Sequence, residues 1–374
     1  DTVDVLHHCS GYSQPHSNTL IFERLKMSHS PKRIVPFDDI LAALLDDSRP
    51  FPPVFLHRFS DLNPTDLIKL KTVWPQISTQ RRIALMEDLE ELAETDTLVS
   101  FDDLSIFALD DEEPRVRSAA LRALWEADNE KLVPKFITMM EEDPDEMVRA
   151  TAASTLGKYV YLGELEEISS KTLQSVEDHL LAVAQSAELP IIRRRAIEAL
   201  GYSSRPEVKP LILAAYNNTD PEWLSTALFA MGRSASEEYI PAVIEQLDHP
   251  DPEVQFEAVR AAGQLSAADA RETLLDMLQA GIEDAELRMA VIWSLSEIGG
   301  EQVREVLESL MDETEDDDEA DFIQDALDNL FLTEGLASFE MFDFEPQDED
   351  DLHSIINLDD DEEEKDDNHY HPDN

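Results

Sequence analysis

D-P-D-E-M-V-R-A-T-A-A-S-T-L-G from Asp143 and D-P-E-V-Q-F-E-A-V-R-A-A-G from Asp251 are two copies of one pattern, an acidic turn followed by apolar residues at helical spacing. The pattern recurs around Val116, Val148, Ile192, Trp223, Val254 and Leu287, and more loosely around Phe322. The spacings are 32, 44, 31, 31, 33 and 35 residues. Self-similarity at such a period marks a repeat architecture. It predicts an all-α chain, an α-α superhelix whose helix pairs stack into one solenoid.

With those residues as place zero, place four reads Ala120, Ala152, Ala196, Ala227, Ala258 and Val291, and place eight reads Leu124, Leu156, Leu200, Met231, Ala262 and Leu295. Steps of four on a 3.6-residue period put all three places on one buried face. Gly157, Gly201, Gly232 and Gly263 recur at place nine and read as C-caps that stop the helix. A first helix in each unit is supplied by stripes such as Leu274, Leu275 and Leu278, or Val303, Val306, Leu307 and Leu310. Pro134, Pro210 and Pro241 stand at matching places in three units, which predicts a shared backbone bend, since proline is tolerated in a first turn and kinks a helix further in. The long 44-residue spacing predicts an insertion near Tyr159 to Ser175.

The turn-then-V-R-x-x-A-x-x-x-L pattern of Val116–Leu124, Val148–Leu156 and, with Ile at its head, Ile192–Leu200 resembles the HEAT-repeat family, in the bacterial style of phycobilisome-lyase-like repeats. The resemblance spans roughly Ser78 to Leu332 and implies a HEAT/armadillo-like solenoid. It also implies a ladder in which the second-helix arginine joins an acidic residue of a neighbouring turn. Arg117, Arg149, Arg193 and Arg288 match that place, and Leu224 and Gln255 interrupt it. Such a fold says little about function, because one fold hosts many.

Around the repeats the chain divides into a flexible leader or foreign arm over 1–33, a cover or capping segment over 34–77, the solenoid over 78–333 and an acidic disordered tail over 334–374. Within the cover, Asp38–Leu45 reads as a helix and Arg49–Pro53 as a proline-rich stretch. Pro64–Trp74 and Thr79–Ala93 read as a degenerate capping repeat.

The formal net charge is -54. The last 32 residues hold 15 Asp/Glu and one Lys, so most of the charge lies on the body. Such a surface repels phosphate backbones and anionic membranes and favours basic partners. Cys9 is the only cysteine, which excludes an intrachain disulfide and fits a cytoplasmic setting. No apolar run is long enough to span a membrane.

The second-helix face away from the core should hold places two and six, about 200–240° around the helix axis. In the last three full units these places read Ser225 and Phe229, Phe256 and Arg260, and Met289 and Trp293. Phe229, Phe256, Met289 and Trp293 therefore predict an exposed apolar groove edged by Arg260, a site for another protein. In the tail, Leu352, Ile355, Ile356 and Leu358 precede D-D-D-E-E-E and form a candidate docking motif, either for that groove in cis or for a partner. Arg193, Arg194 and Arg195 point in three directions and should serve the ladder, the inner face and the outer edge.

His353, His369 and His371 lie among carboxylates without the spacing of a metal site, so no metal ligand is assigned. The chain carries no P-loop, G-x-S-x-G, H-E-x-x-H or dinucleotide fingerprint, and no catalytic residue or cofactor is assigned. The expected function is a non-enzymatic scaffold or adaptor that binds a basic protein or one with an apolar segment, with no nucleic acid or membrane partner. The alternatives are an acidic chaperone of basic proteins and a bilin-lyase-like enzyme.

Overall fold

The computed structural model describes residues 35–125 and 127–340, and their regular elements are all helical. Three helices, α1 (Phe37–Leu45), α2 (Pro64–Val73) and α3 (Thr79–Thr95), precede the stack. Seven pairs of a first and a second helix follow: α4 (Asp102–Ala108) with α5 (Pro114–Ala123), α6 (Val133–Glu142) with α7 (Glu146–Glu164), α8 (Ser170–Gln185) with α9 (Pro190–Ala199), α10 (Val208–Tyr216) with α11 (Pro221–Arg233), α12 (Ile240–Ile244) with α13 (Pro252–Gln264), α14 (Arg271–Ala280) with α15 (Ala285–Ile298), and α16 (Val303–Glu313) with α17 (Asp317–Glu340). Each second helix packs on its own first helix and on the second helices of adjacent units. The result is a layered α-α solenoid.

The acidic turns work as helix starts. Asp145, Asp220, Asp251 and Asp284 are N-caps whose side chains accept the amides of the first turns of α7, α11, α13 and α15. Each cap satisfies amides that lack an intrahelical partner, and replacing one by Ala costs about 1 kcal/mol. Pro134 and Pro241 occupy the second position of their helices, directly after a short 3₁₀ turn, and Pro210 lies in the first turn of α10. The shared bend is thus the entry into the first helix, where a missing N–H costs nothing.

The core follows the periodic places. Ala120, Ala152, Ala196, Ala227, Ala258 and Val291 are fully buried, and so are the six residues at place eight. Trp223 and Leu287 are only half-buried at place zero. The 44-residue spacing is absorbed by lengthening both α7 and α8 rather than by a loop.

The glycine reading is corrected. Gly157, Gly232 and Gly263 lie inside helices and Gly201 in a 3₁₀ turn, and none has a positive φ. They are points of close approach. A Cβ on Gly157 would sit 3.1 Å from the Ala199 Cα, on Gly201 3.0 Å from Ala230, on Gly232 3.0 Å from Ala261, and on Gly263 2.7 Å from Ser294. Place nine of one second helix therefore rests on place seven of the next. The small residues let backbones meet, which a capping role would not require. Along α9 and α11 the contacts advance in the same direction, from Arg194 on Glu222 through Glu198 on Thr226 to Gly201 on Ala230, so these second helices run parallel.

The arginine ladder is present with altered rungs. Arg117 forks onto Asp143 at 2.7 and 2.8 Å, Arg149 reaches Glu188 at 3.4 Å, and Arg288 reaches Glu319 at 2.6 Å. Arg193 departs from the expectation. It donates to the Ala184 carbonyl and lies over the Trp223 ring, 5.2 Å from its centroid, because Asn218 stands at the place from which Asp143 meets Arg117. Gln255 fills its rung by donating to the Leu247 carbonyl. Arg82 of α3 adds an upstream rung through Asp111 at 2.7 Å, so the ladder begins one helix earlier than the pattern showed.

Upstream, Phe37, Ile40, Leu44, Phe59 and Leu62 are buried, and Phe59 closes a 3₁₀ turn, Pro53–Phe59, in the segment read as a cover. α17 runs to Glu340, into the stretch read as tail. The leader with Cys9, and the tail motif Leu352, Ile355, Ile356 and Leu358 with its neighbouring histidines, lie outside the described residues. Among the described residues no helix is long and apolar enough to cross a membrane, and no group of side chains could hold a metal ion.

Candidate functional site

The second helices present their inner places between neighbours rather than to open solvent. Because glycine contacts draw the helix backbones together, side chains at places two and six fold sideways across the adjacent helix. Phe229, Phe256, Met289 and Trp293 are each half-buried, not fully exposed as the pattern predicted. Arg260, expected at the edge, is buried at 8 % exposure and bonds Glu257 at 3.1 and 3.2 Å one turn earlier.

These side chains join a row that crosses four units. The exposed Tyr161 ring, near the C-terminal end of α7, lies 5.0 Å from the Tyr202 ring. The Arg233 guanidinium covers Tyr202 at 4.8 Å and Phe229 at 4.0 Å. Arg260 then lies 5.5 Å from Phe229 and 5.6 Å from Phe256. Such contacts contribute about 0.5–1 kcal/mol each near solvent and more when desolvated. They pre-set the rotamers of long side chains, which lowers the entropy lost on binding. Trp293 packs on Phe322 of the next unit at 6.0 Å. Of the five residues the sequence pattern put in one groove, Phe229, Phe256 and Arg260 meet in these contacts, and Met289 and Trp293 lie on the next second helix, α15.

Buried charge supports the row from beneath. Glu198 accepts a hydrogen bond from Thr226 at 2.8 Å and pairs with Arg195 at 2.5 Å. Arg195, expected at the outer edge, thus turns to the inner carboxylate, while Arg194 pairs with Glu222 at 2.5 Å. Burial pushes the Glu257 carboxyl above its ordinary range, against the pull of Arg260, and nearby Glu253 and Glu198 push the same way. A buried carboxylate beside two arginines fixes their geometry at an electrostatic cost.

Tyr161, Tyr202 and Arg233 were missed by a search confined to places two and six. They lie at the C-terminal ends of their helices, at places thirteen, ten and ten, where the helical period has drifted onto the same face. The drift itself was the available signal.

The HEAT repeats model matches residues 102–178, 176–248 and 240–327, and the chain belongs to the HEAT repeat family. No curated protein matches it. Among solved structures it is similar to the CpcE and CpcF complex of phycocyanin lyase from Nostoc sp. PCC7120, at 17% identity over 81% of this chain and 99% of that one, with a TM-score of 0.46. Importin beta is similar at 12% identity over 79% of this chain and 47% of its own, with a TM-score of 0.40. Kap121p bound to Nup53p gives 15% identity, 79% and 37% coverage, and a TM-score of 0.40. Likenesses this distant leave the chemistry to the residues of this chain.

Proposed function

We propose that this chain is a non-enzymatic scaffold that holds a segment of another protein along its second-helix face. The observation behind this reading is the continuous row Tyr161, Tyr202, Arg233, Phe229, Arg260 and Phe256, joined by ring and guanidinium stacking, with Arg260 buried and the other five open to solvent at least in part. Tyr and Arg in a pre-organised patch are the residue types that dominate binding energy at protein interfaces. Met289 and Trp293 extend the apolar contact toward the C-terminal units, and the acidic body steers basic flanks of the partner.

Peptide display against the intact chain tests this. Selected peptides should bind the protein carrying Tyr202→Ser and Phe229→Ser at least about tenfold more weakly, the effect of losing ~1.4 kcal/mol of contact. Unchanged helical circular dichroism would show that the fold survives. Equal binding to both proteins would refute the assignment of the row.

The net charge of -54 favours one second reading, an acidic chaperone that shields basic proteins. Binding of that kind collapses with salt and tolerates loss of the aromatics. Mixing the protein with a bilin pigment and recording absorbance tests the lyase-like alternative.

A further inference from the structure

The second helices run parallel, so their C-terminal ends line one edge of the stack. Tyr161, Tyr202 and Arg233 stand near that edge, Phe229 and Phe256 lie earlier on their helices, and α17, ten residues longer than α15, ends past it at Glu340. The chain continues from this point into residues 341–374. Each unit advances the stack by about 8–10 Å. From α17 back to Phe256 and Phe229 is two to three steps across the stack and about 20 Å back along the helix axes, roughly 35 Å in all, and Tyr202 lies about 40 Å away. An extended chain covers about 3.3–3.6 Å per residue. Leu352 to Leu358 thus arrive within reach of Phe256 and Phe229, and Asp359 to Glu364 within reach of Arg233 and Tyr202.

The chemistry matches in the same order. The apolar residues Leu352, Ile355, Ile356 and Leu358 come first and the half-buried rings come first. The run D-D-D-E-E-E follows, and residues 190–235, which include Arg193, Arg194, Arg195 and Arg205, hold six Lys/Arg and four Asp/Glu, while Glu177, Asp178 and Glu238 from outside the stretch pair with Arg205 and Lys209. The remainder of the body repels this run, so this nearly balanced stretch is where it costs least to place it. Glu222, Glu198 and Glu257 already pair with Arg194, Arg195 and Arg260, so the attraction is a local balance and not a set of vacant partners.

We propose that the chain's own segment 352–364 lies along the row, with its four apolar residues on Phe256 and Phe229 and its acidic run toward Arg233. The inference rests on the row being a binding surface, and it makes the tail a competitor that a partner must displace. The cost to the partner is the population of the closed state.

Hydrogen exchange on full-length protein tests it with two variants. In one, Leu352, Ile355, Ile356 and Leu358 are all changed to Ser. In the other, Asp359→Asn, Asp360→Asn, Asp361→Asn, Glu362→Gln, Glu363→Gln and Glu364→Gln are combined. Exchange over 200–233 and 254–264 should rise about fivefold in the first variant, the effect of losing ~1 kcal/mol of protection. It should rise by a smaller factor in the second, while α4 and α5 stay unchanged as the internal control. A synthetic peptide of residues 341–364 added to the first variant should restore protection, and about 0.5 M salt should weaken it. Unchanged exchange over both segments in both variants overturns the proposal. So does a peptide that binds in trans while the variants exchange like the parent, since the row is then empty in cis. In either case display peptides still sensitive to Tyr202→Ser and Phe229→Ser would leave the scaffold reading standing.

Discussion

Gly263→Ala separates two opposed effects whose sizes are known. In the middle of a helix, Ala is favoured over Gly by about 0.8–1.0 kcal/mol, so propensity alone predicts a more stable protein. The structure opposes this. The new Cβ would sit 2.7 Å from both the Cα and the Oγ of Ser294, and the first of these is backbone that cannot rotate away. Forcing an extra carbon into a packed seam costs about 1–3 kcal/mol. Separation of α13 and α15 would also stretch the bond from Ser294 Oγ to the Val259 carbonyl, 2.9 Å long and buried, which contributes about 0.5–1.5 kcal/mol. The net expectation is a loss of about 1 kcal/mol, or about 2 if that bond breaks.

Two controls grade the result. At Gly335 nothing lies within 4 Å of the added Cβ, so Gly335→Ala should stabilise by roughly 0.5–1 kcal/mol. At Gly157 the nearest atom is at 3.1 Å, and the two effects should nearly cancel. Urea melts of the three variants and the parent give the order. Local hydrogen exchange guards against loss of cooperativity, which repeat arrays tolerate poorly. A Gly263→Ala protein as stable as the Gly335→Ala protein would refute the idea that place nine sets the approach of the helices.

Asp111 accepts hydrogen bonds from Arg82 at 2.7 Å and the Trp74 indole at 2.6 Å, both buried, while Arg82 keeps Glu112 at 2.9 Å, so Asp111→Ala should cost about 1.5–3 kcal/mol in urea melts. Tyr159→Phe removes a buried hydroxyl that donates to the Ala127 carbonyl at 3.0 Å, and a loss of about 1 kcal/mol is expected without a change in circular dichroism. Glu257 binds its proton more tightly folded than unfolded, so its contribution is most favourable at low pH and is lost as pH rises from the ordinary carboxylate value through its raised folded value. Stability measured across that window should fall more steeply with pH in the parent than in Glu257→Gln, and parallel curves would remove Glu257 as the source.

The repeat places carried the fold because they are a consequence of helix period and need no knowledge of neighbours. Val116, Ala152, Ala196 and Leu295 read as core and are fully buried. Glycine was legible as a recurring residue but not as a contact, since the same letter serves a cap and a close approach. Only the position of Ala199 or Ser294 against it decides between them. The arginines show the same division. Arg117 and Arg288 find carboxylates where the period led, whereas Arg193 meets a carbonyl and an indole, because its partner depends on which turn the next unit brings alongside.

By itself, then, the order of residues determined the helices, their pairing and the buried face, all of which follow from spacing along one chain direction. Tertiary structure alone decided what the inner face is. Parallel second helices pressed together at glycine turn Phe229, Phe256 and Arg260 sideways into a shared row with Tyr202 and Arg233. Arg233 and Phe229, like Arg260 and Phe256, are four residues apart on one helix, but Tyr202 and Arg233, like Phe229 and Arg260, are 31 residues apart, and spacing within a single helix carries no information about side chains that meet only across the gap between two.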